Sequence, residues 1–296
     1  MSHNYILSCC SYADLTAERM QDLDIRYICT PYVINGESLI DDLGKTTSYN
    51  DFYQSMKDGA MTSTFQLNQN DFADYFRELL KEDKDIIHVS LSSGLSGVSN
   101  SARLAIDALT DEFPNRKIYL VDSLAASSGL GLMMQTACEL REQGMGAEEL
   151  YNWLEANKLR LHHWFFTTDL TYFVRGGRVS KASGFIGGVL GICPLLNVSN
   201  TGHLIPRSKV RGKKKVITEI VDRMKSFAEN GTDYSGKCFI SNSMCHEDAQ
   251  AVAELIEEAF PKLDDKVQIF NIGTSIGSHT GPGTVALFFW GEERKD

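Results

Sequence analysis

The chain has 296 residues, with 29 Lys and Arg against 39 Asp and Glu, and a net charge of −10. That length fits one large domain or two of ordinary size, and the charge argues against a general nucleic-acid surface. No run of about 18 apolar residues is present to span a bilayer.

The first residues, "MSHNYILSCCSY", lack the basic stretch and long apolar run of a secretory signal. Seven cysteines without framework spacing are expected as reduced thiols in a cytoplasmic protein. The adjacent Cys9 and Cys10 are poorly placed for a disulfide. No Cys-x-x-Cys or His-x-x-x-His pair offers a metal site.

In chain order, "NYILSC" reads as a strand and "DLTAERMQ" as a helix with Asp14 near its start. "IRYICTPYVI" reads as one further strand. Phe72, Tyr75, Phe76, Leu79 and Leu80 then recur at helical spacing. "DIIHVSL", "NSARLAIDALTDEF", "KIYLVDS" and "GLGLMMQTACELREQG" continue the alternation of strand and helix. Such alternation predicts βαβ units and a mostly parallel sheet, with ligands outside the carboxyl ends of its strands.

The pattern changes after the helix that contains Trp153. "HHWFFTTDL" reads as a strand, and "GGRVSKASGFIGGVLGI" as a glycine turn feeding an apolar helix. "CPLLNVSNTGHLIPRSKVRG" predicts a hairpin around Ser199–Gly202. A basic helix from Lys213, the strand "KCFISNS", a further helix, and the strands "VQIFNIG" and "TVALFFW" follow. The expected fold class is α/β in two domains. Residues 1–157 carry a mostly parallel sheet with flanking helices, and residues 158–296 a mixed sheet with helices.

Several stretches could carry chemistry. In "HVSLSSGLSGVSNSA", a strand runs into Ser92-Ser93-Gly94 and then a helix, so free backbone N–H groups and serine hydroxyls could hold an anion. Plain serine capping explains the same residues about equally well. "VDSLAASSGLGL" fits capping and close helix packing better than function. Thr62-Ser63-Thr64 precedes a helix with hydroxyls able to meet an oxyanion. Arg175, Arg178, Lys181, Lys209, Arg211 and Lys213 form two basic clusters in an acidic protein, suited to a docking surface or phosphate contacts. "TSIGSHTGPG" sets His279 in an expected loop before the last strand. Ser93 with His279 as base would make a serine esterase or thioesterase, but no Gly-x-Ser-x-Gly elbow surrounds Ser93.

Together these motifs, in this order, resemble the DegV family of bacterial fatty-acid-binding proteins over essentially the whole chain. The motifs are Thr62-Ser63, Ser92-Ser93-Gly94-Leu95-Ser96-Gly97, Asp122-Ser123, Arg175-Gly176-Gly177-Arg178, Lys209-Val210-Arg211-Gly212 and Ile276–Gly283. The resemblance implies a long-chain fatty acid in the interdomain cleft, with its tail in a tunnel of the second domain. It implies a carboxylate held by Thr62, Ser63, Ser93, Gly94 and His279, with no catalytic residue, cofactor or metal. It further implies a separate fatty acid kinase that converts the carboxylate to an acyl phosphate for phospholipid synthesis, with at most transient contact with a membrane surface. Arg175, Arg178 and Arg211 match the basic positions expected near the head group or the docked kinase. A lipid sensor that docks a different protein is the other reading. The chain departs from the family pattern at Cys9-Cys10, Thr64-Phe65 and Cys193, and the first two lie near the expected head-group environment.

Overall fold

In the computed structural model, which describes residues 3–180 and 191–295, the chain opens with β1 (Tyr5–Cys10), α1 (Ala17–Asp22), β2 (Ile25–Ile28), β3 (Thr30–Ile34) and β4 (Glu37–Asp41). It continues through α2 (Tyr49–Lys57), β5 (Thr62–Thr64), α3 (Gln69–Leu80), β6 (Asp85–Ser90), α4 (Val98–Leu109), β7 (Ile118–Asp122), α5 (Ser128–Glu142) and α6 (Ala147–Asn157). Then come β8 (Leu161–Thr167), α7 (Thr171–Arg175), β9 (Ile192–Val198), β10 (Leu204–Arg211) and α8 (Lys213–Phe227). The last elements are β11 (Phe239–Asn242), α9 (His246–Ala259), β12 (Gln268–Asn271), α10 (Thr274–Thr280) and β13 (Thr284–Trp290).

The fold is α/β. A parallel sheet has the order β2-β1-β6-β7, and a small antiparallel sheet the order β4-β3-β5. A mixed sheet runs β10-β9-β8-β13-β11-β12, antiparallel except for its last pair. Every strand before residue 157 belongs to the first two sheets, and every described strand after it to the third. Most of the glycine-rich apolar helix expected over 183–192, and Lys181, fall in residues 181–190, outside the described residues.

Local sequence explains most of these elements. In α3, the side chain of Asn68 accepts from the backbone N–H of Asp71 at 3.2 Å, and the Asp71 carboxylate accepts from Asn68 N–H at 2.7 Å. This capping box starts the helix, and Phe72, Phe76, Leu79 and Leu80 form its buried stripe. Most of α5 is buried, because it packs against β1 on one side and against β8, β11 and β13 on the other.

The single strand expected over 25–34 is two strands in different sheets. Its ladder breaks at Thr30, whose backbone N–H donates to Ser11 Oγ at 3.2 Å. β2 stays on β1, while β3 leaves to pair with β4 and β5.

A buried polar junction joins the three sheets. Asp14 follows β1 in the left-handed region, at φ 49°, and Asp41 ends β4. One Asp14 oxygen accepts from Gly273 N–H at 3.0 Å and the other from the Ser127 hydroxyl. Asp41 accepts from Ser275 N–H at 2.9 Å and from Leu43 N–H at 3.4 Å. Ser275 Oγ also meets Thr30 Oγ1 at 2.7 Å. Two buried carboxyl groups thus cap the first turn of α10, where the helix leaves N–H groups unpaired. No cation pairs with either among the described residues.

Burial pushes the Asp14 carboxyl well above the ordinary range and raises that of Asp41 as well. Between the unfolded value, about 3.9, and the raised folded value, the folded protein holds the extra proton. This contribution to stability is therefore full below the unfolded value and is lost as pH rises through the folded one. Asp14→Asn keeps an acceptor for Gly273 without the charge. It is expected to flatten the fall in Tm as pH rises above the ordinary carboxylate range in calorimetry, and an unchanged slope would contradict this role.

Candidate functional site

A cavity of about 640 Å³ lies among the three sheets, within the usual range for small-molecule sites. Its wall is drawn from both halves of the chain. Leu91 and Leu95 come from the first half, and Phe165, Phe173, Ala286 and Phe288 from the second. One end is polar, formed by β5, the turn after β6, the end of α7 and the end of α10.

His279 stands in the last turn of α10, a helix and not the expected loop. Thr62 and Thr64, two residues apart on β5, share a face toward it. Thr62 Oγ1 donates to the Ser278 carbonyl at 3.1 Å. Thr64 Oγ1 lies 2.8 Å from His279 Nε2. On the other ring edge, Arg178 Nη1 lies 3.3 Å from Nδ1. A guanidinium only donates, so Nδ1 accepts and the ring hydrogen sits on Nε2. Nε2–H then donates to Thr64 Oγ1, and the threonine's own hydrogen is left for a ligand.

Burial first, and the Arg178 charge second, lower the His279 pKa to about 4. The imidazole is neutral at pH 7 and serves as a fixed donor. Arg178 is half-buried and held by the carbonyls of Gly176 at 2.6 Å and Leu95 at 3.2 Å. Burial lowers its pKa, yet it stays charged. The close approach of His279 needs glycine at 176, where a Cβ would overlap Nδ1. Arg175, exposed at the rim, stacks on the Tyr172 ring with its guanidinium 5.4 Å from the centroid. Neither arginine has a carboxylate partner among the described residues. This end of the cavity is therefore positive in an acidic protein, and it offers donors to an anionic head group.

The expected site residues divide. Thr62, Ser63, His279, Arg175 and Arg178 border the cavity. Ser93, Gly94 and Arg211 do not line it. Ser93 is exposed, with its N–H on Asp122 at 3.0 Å. Gly94 packs on the backbone of the Ser199–Gly202 turn, and Ser92 Oγ donates to the Gly202 carbonyl at 2.9 Å. That docking turns Leu95, Ser96 and Gly97 to the cavity in their place. Arg211 ends β10, seven residues from the cavity residue Leu204 and so about 23 Å along the strand. His279 Nε2 meets Thr64 and not Ser93, so the nucleophile and base of a serine esterase are not assembled.

The head-group set implied by the resemblance leaves out Thr64 and Ser96, although Thr64 stands among the hydroxyls the sequence offers to an oxyanion and Ser96 within a quoted motif. The alternation along "TST" places Thr64 on the face of Thr62 and was the available signal. All seven cysteines are free thiols. Among the described residues there is no cluster of His, Cys, Asp and Glu able to hold a metal, and no helix long and apolar enough to cross a membrane.

Two outcomes check this geometry. The His279 ring signals in the ligand-free protein are expected to stay constant by NMR from pH 8 down to about pH 5. Titration near 6.5 would refute the buried neutral ring. Gly94→Ala puts a Cβ within 2.7 Å of the Gly202 backbone and is expected to cost about 1–3 kcal/mol in chemical denaturation. A neutral substitution would show that the turn is not docked there.

Comparison with known proteins agrees with this architecture. The model of "Uncharacterised protein, DegV family" matches residues 11–292. A DegV domain-containing protein of Clostridium perfringens is 36% identical over 285 residues, 96% of this chain and 97% of that one. A fatty acid-binding protein of Thermotoga maritima is 33% identical over 293 residues, with 96% and 97% coverage. The solved structure of a fatty-acid-binding DegV family protein from Thermus thermophilus superposes with a TM-score of 0.86 at 27% identity. That match covers 98% of this chain and 100% of that one.

Proposed function

This chain belongs to the DegV family, and from that premise we propose that it carries a long-chain fatty acid and presents its carboxylate to a separate fatty acid kinase. The observation that carries the reading is an apolar cavity whose polar end combines a free threonine hydroxyl hydrogen, the neutral imidazole that orients it and two cations that have no carboxylate partner among the described residues. The fatty-acid-binding relatives support the ligand class. The kinase partnership is an extension from the family resemblance.

The tail supplies affinity. Each methylene removed from water contributes about 0.8 kcal/mol, so a long chain outweighs the costs of association. The head group supplies position. A buried carboxylate requires donors, and the Thr64 hydroxyl, with His279 and Arg178 behind it, offers them beside Thr62, Ser63 and Ser96. Ser93 and Gly94 contribute by holding the turn that carries Ser96.

Phosphorylation would then run at the open end of the cavity. One carboxylate oxygen attacks the phosphorus of a donor held by the kinase, the P–O bond to the leaving group breaks, and the acyl phosphate forms. This chain binds and orients the acid and provides no attacking group of its own. Exposed Arg175 sits at the rim, where a kinase or the transferred phosphate would arrive. Arg211, remote from the cavity, would serve only in docking.

Native mass spectrometry of the protein purified from a bacterial host is expected to find a fatty acid bound one to one. Consistently lipid-free protein that also binds no added fatty acid would sink the carrier reading. With a cognate kinase, Thr64→Val and His279→Ala are expected to lower acyl phosphate formation by about tenfold or more, as loss of a charge-assisted head-group bond requires. Undiminished formation in both variants would refute the head-group assignment.

A further inference from the structure

The deep end of the cavity is closed by two facing rings. On β13 the residues Thr284, Ala286 and Phe288 line the cavity in turn, a path of about 13 Å along one face of the strand. On β8 the register partners of the last two, Phe165 and His163, line it beside them. The middle pair contains an alanine, which leaves space over the sheet. The last pair sets the His163 and Phe288 rings edge to face, with centroids 5.3 Å apart and each residue only 2% exposed.

Those two rings reach across to α5. A Cβ on Gly129 would overlap both of them. Glycine at 129 therefore lets the rings seat on the helix backbone, so that helix and sheet are in contact at this level.

A second cavity, of about 300 Å³, begins on the other side of this contact. Trp290 lines it, two residues beyond Phe288 on the same face of β13 and so about 7 Å further along. Leu132 and Thr136 line it from α5, about one and two turns beyond Gly129. The Trp290 indole N–H donates to Thr136 Oγ1 at 3.1 Å. Leu132, Trp153 and Trp290 make the apolar side of this second cavity, and Glu139, Arg160 and Lys237 its charged side. The two cavities share no lining residue among those described. Helix α5 and strand β13 thus run side by side from the first cavity to the second, with the His163–Phe288 pair between.

Building on the fatty-acid reading above, we propose that the His163–Phe288 pair, seated on Gly129, is the stop that sets the longest acyl chain this cavity holds, with Phe288 as the specificity-determining residue. A chain with its carboxylate at Thr64 and His279 passes Ala286 and meets the two rings with its methyl end. Each methylene that fits adds about fourfold to affinity. The first that does not fit must displace a ring in a close-packed interior, and overpacking there is unfavourable. Rings that served only to pack α5 on the sheet would behave differently, because their loss would weaken binding of every acid alike.

The test incubates the lipid-stripped full chain with an equimolar series of even-numbered saturated acids, from dodecanoic to docosanoic, and reads occupancies by native mass spectrometry. Wild-type occupancy is expected to rise by about fourfold per methylene and then to break sharply within the series. Phe288→Ala, which joins the two cavities, is expected to move the break to longer acids, and the milder Phe288→Leu to move it less. Gly129→Ala pushes both rings back into the first cavity and is expected to move the break to shorter acids. A wild-type series without a break, a break at the same acid in every folded variant, or a loss uniform along the series would overturn the proposal and leave the carrier reading standing. Failure of the wild-type chain to bind any of these acids would overturn both.

Discussion

Two buried carboxyl groups hold the first turn of α10, and the candidate site depends on that contact. Asp14 and Asp41 take the Gly273 and Ser275 N–H groups at 3.0 and 2.9 Å. Through Ser127 and Leu43 they also fix the start of α5 and the chain after β4. The helix so held is a short rod with His279 at its far end. Arg178 sets the tautomer from one side of that ring and Thr64 receives the hydrogen on the other. The chemistry at the polar end thus depends on a capped helix start about 9 Å away.

The same junction explains what was legible in the sequence. Helices such as α3 carry their own stripe and capping box, and buried strands such as β6 read directly as apolar runs. Helix α10 has no such signal. "TSIGSHT" is poor in strong helix formers, and its caps come from residues 259 and 234 positions away in the chain. The break between β2 and β3 is hidden for the same reason, because Ser11 claims the Thr30 N–H from outside the strand.

The site was half legible. The motifs put Thr62, Ser63, His279, Arg175 and Arg178 around one cavity, and the sequence alone could show that they are hydroxyl, imidazole and guanidinium. Which threonine meets the imidazole is decided by the packing of β5 on α10. Which serine of "SSGLSG" faces inward is decided by Gly94 seating on Gly202. Both choices are tertiary contacts, and neither leaves a local pattern.

The cavity wall has a consequence for how the molecule matures. Tyr12 and Phe288 both line it, so the wall closes only when the two ends of the chain have met. Parallel β1–β6 pairing and the β8–β13 pairing, with registers such as Leu7↔Ile87 and Phe165↔Ala286, are likewise contacts between distant segments. Such topology forms slowly, because loop closure precedes the gain from pairing. No early segment of the chain can retain a lipid by itself. A bound acyl chain would therefore act on the whole folded state at once, withdrawing it from unfolding by mass action. On the proposed function, occupancy and global stability would be one linked quantity.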